Sequence, residues 1–577
     1  MKNNKFIPSA YQQLIFDEAI NGVNNIIIQA CSGAGKTSTI VNLINHINKN
    51  KKLLYIAFNK DIVNELKNRI GTLNNVDIMT YHSLGFSILK EKLSINLDSI
   101  NEYKYKSYIK QNINNIVDFS EKKLTKVKYA TYINNINSLI DYARYNLCQS
   151  PNEIYNISKK YDIPVIDDEC DVVSNVLKWG SENTSIIDYT DMIWLPNELN
   201  LYSRYYSYDW VLIDESQDTS IAQQNLFLRC LKRGSRFISV GDTYQSINQW
   251  CGASEDAMDE LSKLPHTKVF YLPITYRCPK KIVKLAQKYS SNIKANDDAI
   301  DGEINYNVNM FSPKSGDMVL CRTTAPLIKL YMSYLRVNKK SFIRGKDIGK
   351  NLISLIQETK QNNLSSNLNS DGVFPRLYEK LFQLRNRIMQ ENNIELKDAI
   401  LSYNVMNLYD AIAALNTLSE NLINANELID KINDIFIDSD GDGVCLSTIH
   451  KAKGLEADNV FILCKSLMPS ILAKKKWEFK TEDNLIYVAI TRAKKTLNYI
   501  SEKDFPPTDG YLNIDIMLKT LDTIENKINK IIKIDYSEYE NKNTIDIDVT
   551  KKTSHINKEK INKPIVKKAN LKFNKFI

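Results

Sequence analysis

Lys36 lies in the run Gln29-Ala-Cys-Ser-Gly-Ala-Gly-Lys-Thr37, directly after the apolar stretch Ile26-Ile27-Ile28, and the acidic pair Asp214-Glu215 ends a second apolar stretch, Val211-Leu212-Ile213. A loop that leaves a buried strand and opens a helix aims several backbone N–H groups at one point, where a phosphate can replace water as their acceptor. In such a loop Ser32, Gly33, Ala34 and Gly35 line the phosphates with main chain, the glycines allowing close approach, and Thr37 and Ser38 begin the helix. Lys36 brings a point charge to the β- and γ-phosphates, and the Thr37 hydroxyl is a ligand for Mg²⁺. Asp214 would hold the same ion, and Glu215 would orient or deprotonate an attacking water. These residues predict binding and hydrolysis of a nucleoside triphosphate; the alternative is a Gly-rich turn beside an unrelated acidic strand end. Cys31 stands where such loops usually carry their first glycine, which a small thiol can replace if φ stays negative.

The elements needed to position these groups are legible as short apolar, β-rich runs. One set is Ile26–Ile28, Leu53–Ala57, Val76–Thr80, Val211–Ile213 and Phe237–Val240; a second is Val269–Leu272, Met318–Cys321, Val444–Thr448, Val460–Leu463 and Leu497–Ile500. Continuous rather than alternating apolar character predicts parallel sheets covered on both faces, hence two α/β domains. Two long stretches rich in Leu, Ile, Asn, Lys and Glu, 90–201 and 349–436, read as helical insertions, and Leu377, Leu381 and Leu384 show helical spacing. A last helix is expected at Ile514–Ile532, followed by a polar tail without the apolar density to fold alone.

At 577 residues the chain exceeds what one core usually holds, which also implies several domains. The net charge is +9, but residues 551–577 carry nine Lys against one Glu, so the rest is close to neutral. A nucleic-acid groove would therefore rest on local placement of charge. No run approaches membrane-spanning length, which predicts a soluble, intracellular protein of the cytoplasm, nucleoid or nucleus. Nine cysteines without a Cys-x-x-Cys pair argue against a disulfide framework, a zinc ribbon or an iron–sulfur cluster and fit a reducing compartment. Asp438-Ser-Asp-Gly-Asp-Gly443 copies the start of a calcium loop, but Ile449 stands where the bidentate Glu is required, so a turn is expected there.

Further motifs follow in order along nearly 500 residues, and with them the sequence resembles the UvrD/Rep family of superfamily 1 helicases. Pro8-Ser-Ala-Tyr-Gln12 is similar to the family's adenine-reading motif, with Gln12 the reader of the base edge. Phe58-Asn59-Lys60 and Thr80-Tyr81-His82-Ser83 resemble strand-contacting motifs, although the first is one residue shorter than usual. In Val240-Gly-Asp-Thr-Tyr-Gln-Ser-Ile-Asn-Gln-Trp-Cys-Gly-Ala253 the resemblance makes Gln245 a γ-phosphate sensor and Trp250 a stacking platform for a base. Leu272-Pro-Ile-Thr-Tyr-Arg277 implies Tyr276 stacking on adenine and Arg277 at the γ-phosphate; Thr491-Arg492-Ala493, after Tyr487-Val-Ala-Ile, supplies a second arginine. Leu446-Ser-Thr-Ile-His-Lys-Ala-Lys-Gly-Leu-Glu456 implies a ribose contact at Glu456 and polynucleotide contacts at Thr448 and His450.

The resemblance implies two RecA-like parallel-sheet domains of the P-loop NTPase type with two mainly helical insertions. The expected boundaries are 1–89 with 202–275, insertion 90–201, 276–348 with 437–505, insertion 349–436, and a C-terminal helix and Lys-rich tail over 506–577. ATP with Mg²⁺ is expected between the two sheet domains, with Arg277 and Arg492 reaching it from the second. The implied activity is that of an ATP-dependent 3′–5′ single-stranded DNA translocase and helicase in replication, repair or recombination, working as a monomer on single-stranded and tailed duplex DNA. The C-terminal tail is a candidate site for a protein partner or a DNA-grazing arm. The second insertion, about 90 residues, is shorter than the accessory domain of larger members, and nothing after Ile500 resembles a nuclease site. Alternatives are a translocase that strips proteins or recombination filaments with little unwinding, an RNA-directed helicase, and a non-enzymatic scaffold on a decayed nucleotide fold.

Overall fold

The computed structural model describes the chain except for residues 1–5, 72, 117–125, 162, 164, 166–167, 248–255, 361–366, 369–371, 392–393, 438–440, 506–517, 520 and 527–577. It divides into two compact units, Met1–Ile304 with Ala473–Leu497, and Asn305–Leu472 with Asn498–Ile577.

The first unit is built on six parallel strands: β1 (Asn25–Ala30), β2 (Leu53–Ala57), β3 (Val76–Thr80), β4 (Tyr208–Ile213), β5 (Leu231–Gly241) and β6 (Thr267–Leu272), in the order β3-β2-β4-β5-β1-β6. Parallel neighbours need crossovers, which cover both faces and explain why β2 is buried at every position. Helices α1 (Ala10–Asn21), α2 (Lys36–His46) and α3 (Lys60–Ile70) precede or link the first strands, and α4 (Tyr81–Leu93) follows β3. Ile27, Leu54, Ile56, Val211 and Ile213 pack with Tyr81, Leu84, Leu226 and Phe227 in one core. In this order β4, β5 and β1 are consecutive, so the segments that leave their carboxyl ends are neighbours. Val269–Leu272, named with the second set of strands although the expected boundary 202–275 puts it in the first domain, completes the first sheet, with Val269 beside Ile27 and Leu272 beside Ala30. Its apolar run fits either sheet, and only pairing with β1 decides between them.

Between α4 and β4 lie α5 (Lys104–Ile116), α6 (Lys126–Asn146), α7 (Pro151–Tyr161), α8 (Glu169–Glu182) and α9 (Asp191–Glu198). This first insertion has its own core, which includes Ile109, Ile136, Leu139, Val173 and Trp194. Beside that core runs a buried ionic network: Lys104 lies 2.8 Å from Asp191, and Arg144 lies 2.8 Å from both Asp188 and Asp191. Charges out of water must be paired in this way or their desolvation is uncompensated. After β4, α10 (Ile221–Arg229) and α11 (Ala257–Ser262) lead to β5 and β6, and β7 (Ile274–Thr275) pairs with β8 (Lys294–Ala295) around α12 (Lys280–Ala286).

A seven-stranded sheet contains β9 (Glu303–Val308), β10 (Met318–Cys321), β11 (Ser341–Arg344), β12 (Phe436–Ile437), β13 (Val444–Thr448), β14 (Ala457–Ile462) and β15 (Ala493–Ile500), in the order β12-β11-β13-β10-β14-β15-β9. Helices α13 (Ala325–Arg336), α14 (Lys346–Lys360), α15 (Val373–Glu391), α16 (Leu396–Ile400), α17 (Tyr403–Leu418) and α18 (Ala425–Ile435) precede β12, and α19 (Lys476–Ile490) leads into β15. Unlike the first insertion, the second shares its core with the sheet among the described residues: Ile356, Leu377, Leu381, Ile412 and Ile432 belong to one cluster with Val319, Ile343 and Leu446 of the sheet. Leu521 and Ile524 join that cluster, and Glu525 accepts two hydrogen bonds from Arg385 Nη2, at 2.9 and 3.0 Å. The C-terminal helix is thus helical over its described residues 518–519 and 521–526, while the Lys-rich tail lies outside the described residues. The calcium-like run begins outside them too. Its described end is a turn into β13, where Asp442 pairs with Lys340 at 2.6 Å and Gly443 has φ +127°.

Because Leu377 is fully buried in a cluster shared by α15 and the sheet, Leu377→Ala is expected to destabilise the second unit by about 2–5 kcal/mol. Calorimetry should show one transition lowered while the other, assigned to the first unit, stays in place.

Candidate nucleotide site

The site assembles at the carboxyl ends of β1, β4 and β5. The loop after β1 turns through Gly33 (φ +73°) and Gly35 (φ +79°), while Cys31 keeps negative φ, as its replacement of a glycine requires. Gly35 caps α2 without any side-chain hydrogen bond, so the first N–H groups of that helix have no side-chain acceptor. A Cβ on Gly33 would meet Arg277 Cβ and Thr275 Oγ1, each at 2.6 Å. The closeness follows from sheet pairing carried past the strand ends. Cys31 N–H donates to Leu272 O at 3.0 Å, and Tyr276 N–H donates to Gly33 O at 2.9 Å. Pairing of β6 with β1 therefore lays the segment Thr275–Arg277 along the phosphate loop.

Lys36 Nζ lies 3.1 Å from Glu215 Oε1. Burial pulls the Lys36 pKa down, but Glu215, Asp242 and Asp214 together outweigh it and hold the ammonium above its ordinary range. Asp214 is pushed up to about 6, first by burial and then by Glu215, with Lys36 opposing. It accepts from Tyr55 Oη at 3.0 Å and lies 3.4 Å from Thr37 Oγ1. Glu215 has left-handed backbone geometry at φ +50°, uncommon for a residue with a side chain and frequent where function demands placement. Gln217 Nε2 donates to its Oε2 at 2.5 Å, while Gln217 Oε1 accepts from Asp242 N–H at 2.9 Å, so one amide ties the ends of β4 and β5 together.

Both predicted arginines reach Ser32: Arg277 Nη1 donates to its Oγ at 3.2 Å and Arg492 Nη2 at 2.9 Å. Burial, then the neighbouring Arg277, pull Arg492 down to about 10, so it stays charged at neutral pH. The sequence reading assigned both arginines to the second domain; in the structure both belong to the compact unit that carries the phosphate loop. Gln245 Nε2 donates to Asp242 Oδ2 at 2.7 Å and Gln245 Oε1 accepts from Arg492 at 3.4 Å. Gln12 is buried on α1, accepting from Ser9 N–H at 2.9 Å in a capping box and donating to Thr39 Oγ1 at 2.8 Å. Both ends of its amide are thus partnered, with one N–H and one lone pair left for a base. Tyr276 is exposed, as a stacking ring must be, Ala34 is buried, and Ser38 accepts from Asn42 in the first turn of α2.

The oxygens of Thr37 and Asp214 are hard donors of the kind Mg²⁺ prefers. Among the described residues no group of three or more His, Cys, Asp or Glu stands in a metal-holding arrangement. Two protein oxygens fit an ion whose other ligands come from phosphate and water. The described cysteines are all free thiols, and no described helix is long and apolar enough to cross a membrane.

The strand-contacting candidates fall in separate places. Phe58 is half exposed in the loop after β2, Thr80 caps α4 by accepting from Ser83 N–H, and His82 is exposed in its first turn. Thr448 and His450 leave β13 and Glu456 precedes β14, all in the second unit; burial, then Arg322 and Lys451, bring His450 down to about 3, so it is neutral at pH 7. Trp250 lies outside the described residues. Four side chains at the site carry no role in the sequence analysis, Asp242 among them although it stands in the motif of Gln245. Tyr55 sits in an apolar run and looks like core. Gln217 is two residues past Glu215, a spacing that could have drawn notice, and Tyr487 served only as a flank of the arginine motif.

Two family models match the chain: the UvrD/REP helicase N-terminal domain over residues 16–266 and the UvrD-like helicase C-terminal domain over residues 328–504. An ATP-dependent DNA helicase Rep of Buchnera aphidicola subsp. Acyrthosiphon pisum is 23% identical, over 82% of this chain and 91% of its own length. An ATP-dependent DNA helicase PcrA of Staphylococcus aureus is 25% identical, over 82% of this chain and 80% of its own. An ATP-dependent DNA helicase Rep of Buchnera aphidicola subsp. Baizongia pistaciae is 28% identical, over 46% of this chain, and the match spans only 41% of that relative.

Gly33→Ala places a methyl group 2.6 Å from Arg277 Cβ and Thr275 Oγ1 at a positive φ. Fluorescent-nucleotide titration should show binding weakened by about fivefold to about 150-fold, the equivalent of strain of about 1–3 kcal/mol at such a position.

Proposed function

Since the chain belongs to the UvrD/Rep-like family of superfamily 1 DNA helicases, we propose that it is an ATP-dependent DNA helicase that moves 3′ to 5′ along single-stranded DNA. The observation that carries the reading is the cage of opposite charges around one loop: Lys36, Arg277 and Arg492 against Asp214, Glu215 and Asp242, with the main-chain donors of Gly33–Lys36 between them. A cage of this composition binds a polyphosphate through fixed donors and charge rather than shape.

Lys36 neutralises phosphate charge at the start of α2. Glu215, strained into position and held by Gln217, takes the proton of the attacking water, and Arg277 and Arg492 stabilise the charge that builds on the transferred group. Thr37 and Asp214 would hold Mg²⁺, which when bound shields the phosphate oxygens from one another. Phe58, Thr80 and His82 follow strands of the same sheet that bears the site, so a strand resting on them touches the framework that hydrolysis rearranges. Stacking on an exposed ring and contacts to backbone phosphates tolerate any sequence, which suits a protein that steps along DNA.

Lys36→Ala and Glu215→Gln should each lower single-stranded-DNA-stimulated ATP turnover by about a hundredfold or more; Glu215→Gln should keep the melting profile, and Lys36→Ala should lower it because the carboxylates lose their counter-charge. Unwinding is read on duplexes with a single tail. A 3′ tail should support strand displacement and a 5′ tail should not; the opposite preference would refute the proposed direction, and an ATPase indifferent to added oligonucleotide would refute the helicase reading.

A further inference from the structure

A closed ring of hydrogen bonds surrounds Ser32. Its N–H donates to Tyr487 Oη at 3.1 Å; Tyr487 Oη donates to Asp242 Oδ2 at 3.4 Å; Asp242 Oδ2 also accepts from Gln245 Nε2 at 2.7 Å. Gln245 Oε1 then accepts from Arg492 Nη2 at 3.4 Å, and the same nitrogen donates to Ser32 Oγ at 2.9 Å, which closes the ring. All five residues are buried: Tyr487 and Arg492 come from the end of α19 and the residues just after it, Asp242 and Gln245 follow β5, and Ser32 follows β1. Asn484, one turn before Tyr487, donates to Ser246 O at 2.9 Å and anchors α19 to the same segment.

We propose that Tyr487 is a positioning residue for ATP hydrolysis, its hydroxyl setting the phosphate loop, Gln245 and Arg492 in register with one another. The proposal deepens the ATPase reading of this site and rests on it. The chemistry of the ring leaves one proton arrangement. Ser32 N–H can only donate, so the phenol oxygen accepts from it and its own proton goes to the Asp242 carboxylate. With one Asp242 oxygen holding Gln245 Nε2, the amide of Gln245 is fixed with its oxygen toward Arg492, and the arginine in turn is aimed by Gln245 and Ser32. A phenylalanine would fill the same space yet leave Ser32 N–H and the buried carboxylate each one hydrogen bond short. The two contacts at 3.4 Å are longer than an ordinary hydrogen bond and are the joints at which the ring can open when a phosphate competes for Ser32 or Arg492.

The test is steady-state ATPase kinetics of the full chain and its variants, with and without a single-stranded oligonucleotide, beside thermal melting. Tyr487→Phe should melt no more than a few degrees below wild type, lower kcat about tenfold and change KM for ATP by less than about twofold, the mark of a contact that matters in the transition state. Asp242→Asn should show the same split, and the double variant should be no slower than the slower single one, because both act through one ring. A Tyr487→Phe kcat within about twofold of wild type overturns the proposal, as does a rise in KM with kcat intact or a double variant whose losses multiply. Wild-type protein that hydrolyses ATP with no response to oligonucleotide removes the helicase reading but leaves the ring tested by the same kcat comparison; wild-type protein that hydrolyses no ATP overturns both.

Discussion

The burial of Lys36 among three carboxylates is the constraint on which the rest of the first unit depends. An ammonium group and the side chains of Asp214 and Asp242 are taken out of water together beside the partly exposed Glu215, at the ends of three adjacent strands, and none of the buried charges could be there alone. The strand order β4-β5-β1 places them side by side. Because parallel strands point their carboxyl ends the same way, every loop that leaves them opens on one edge of the sheet, which is where ligands bind in open α/β folds. Such a cluster contributes little to stability by itself. It is held in place by the apolar strands beneath it, whose side chains bury almost completely.

A second constraint is steric. Gly33 has no room for a side chain because β6 pairs with β1 and continues as the segment that carries Arg277. The arginine owes its place to main-chain pairing, and the loop in turn is held by that segment through Tyr276 N–H. Phosphate loop, acidic strand ends and arginines are thus one covalently and hydrogen-bonded framework within a single unit. A change at any of them is transmitted through short, buried contacts.

The two helical insertions are attached in physically different ways. The first packs mainly around its own core beside a buried ionic network and reaches the core of the sheet through Ile193 of α9. The second shares one continuous core with the seven-stranded sheet, and Leu521, Ile524 and the Arg385–Glu525 pair add the C-terminal helix to the same cluster. A shared core makes the second insertion part of the body of its unit, since moving it would expose apolar surface that its partner buries.

The amino-acid sequence by itself determined the chemistry and most of the elements. The phosphate loop and Asp214-Glu215 were legible because residue type and spacing are what such chemistry requires, Gln245 and both arginines came only with the family resemblance, and the strands were legible because parallel sheets bury both faces of an apolar run. The helical spacing of Leu377, Leu381 and Leu384 likewise foretold the buried face of α15. Tertiary structure alone decided which sheet β6 joins, that Arg277 and Arg492 belong to the unit of the phosphate loop, and that Gln12 spends its amide on Ser9 and Thr39. It alone showed that Tyr55, which reads as a core aromatic, and Tyr487, which stands as a flank of the arginine motif, hold Asp214 and Ser32 through their hydroxyls. The reason is physical: periodicity reports which face of an element is buried, whereas the partner of a buried polar group is chosen by tertiary packing between residues as far apart as Ser32 and Tyr487, and no local pattern encodes that packing.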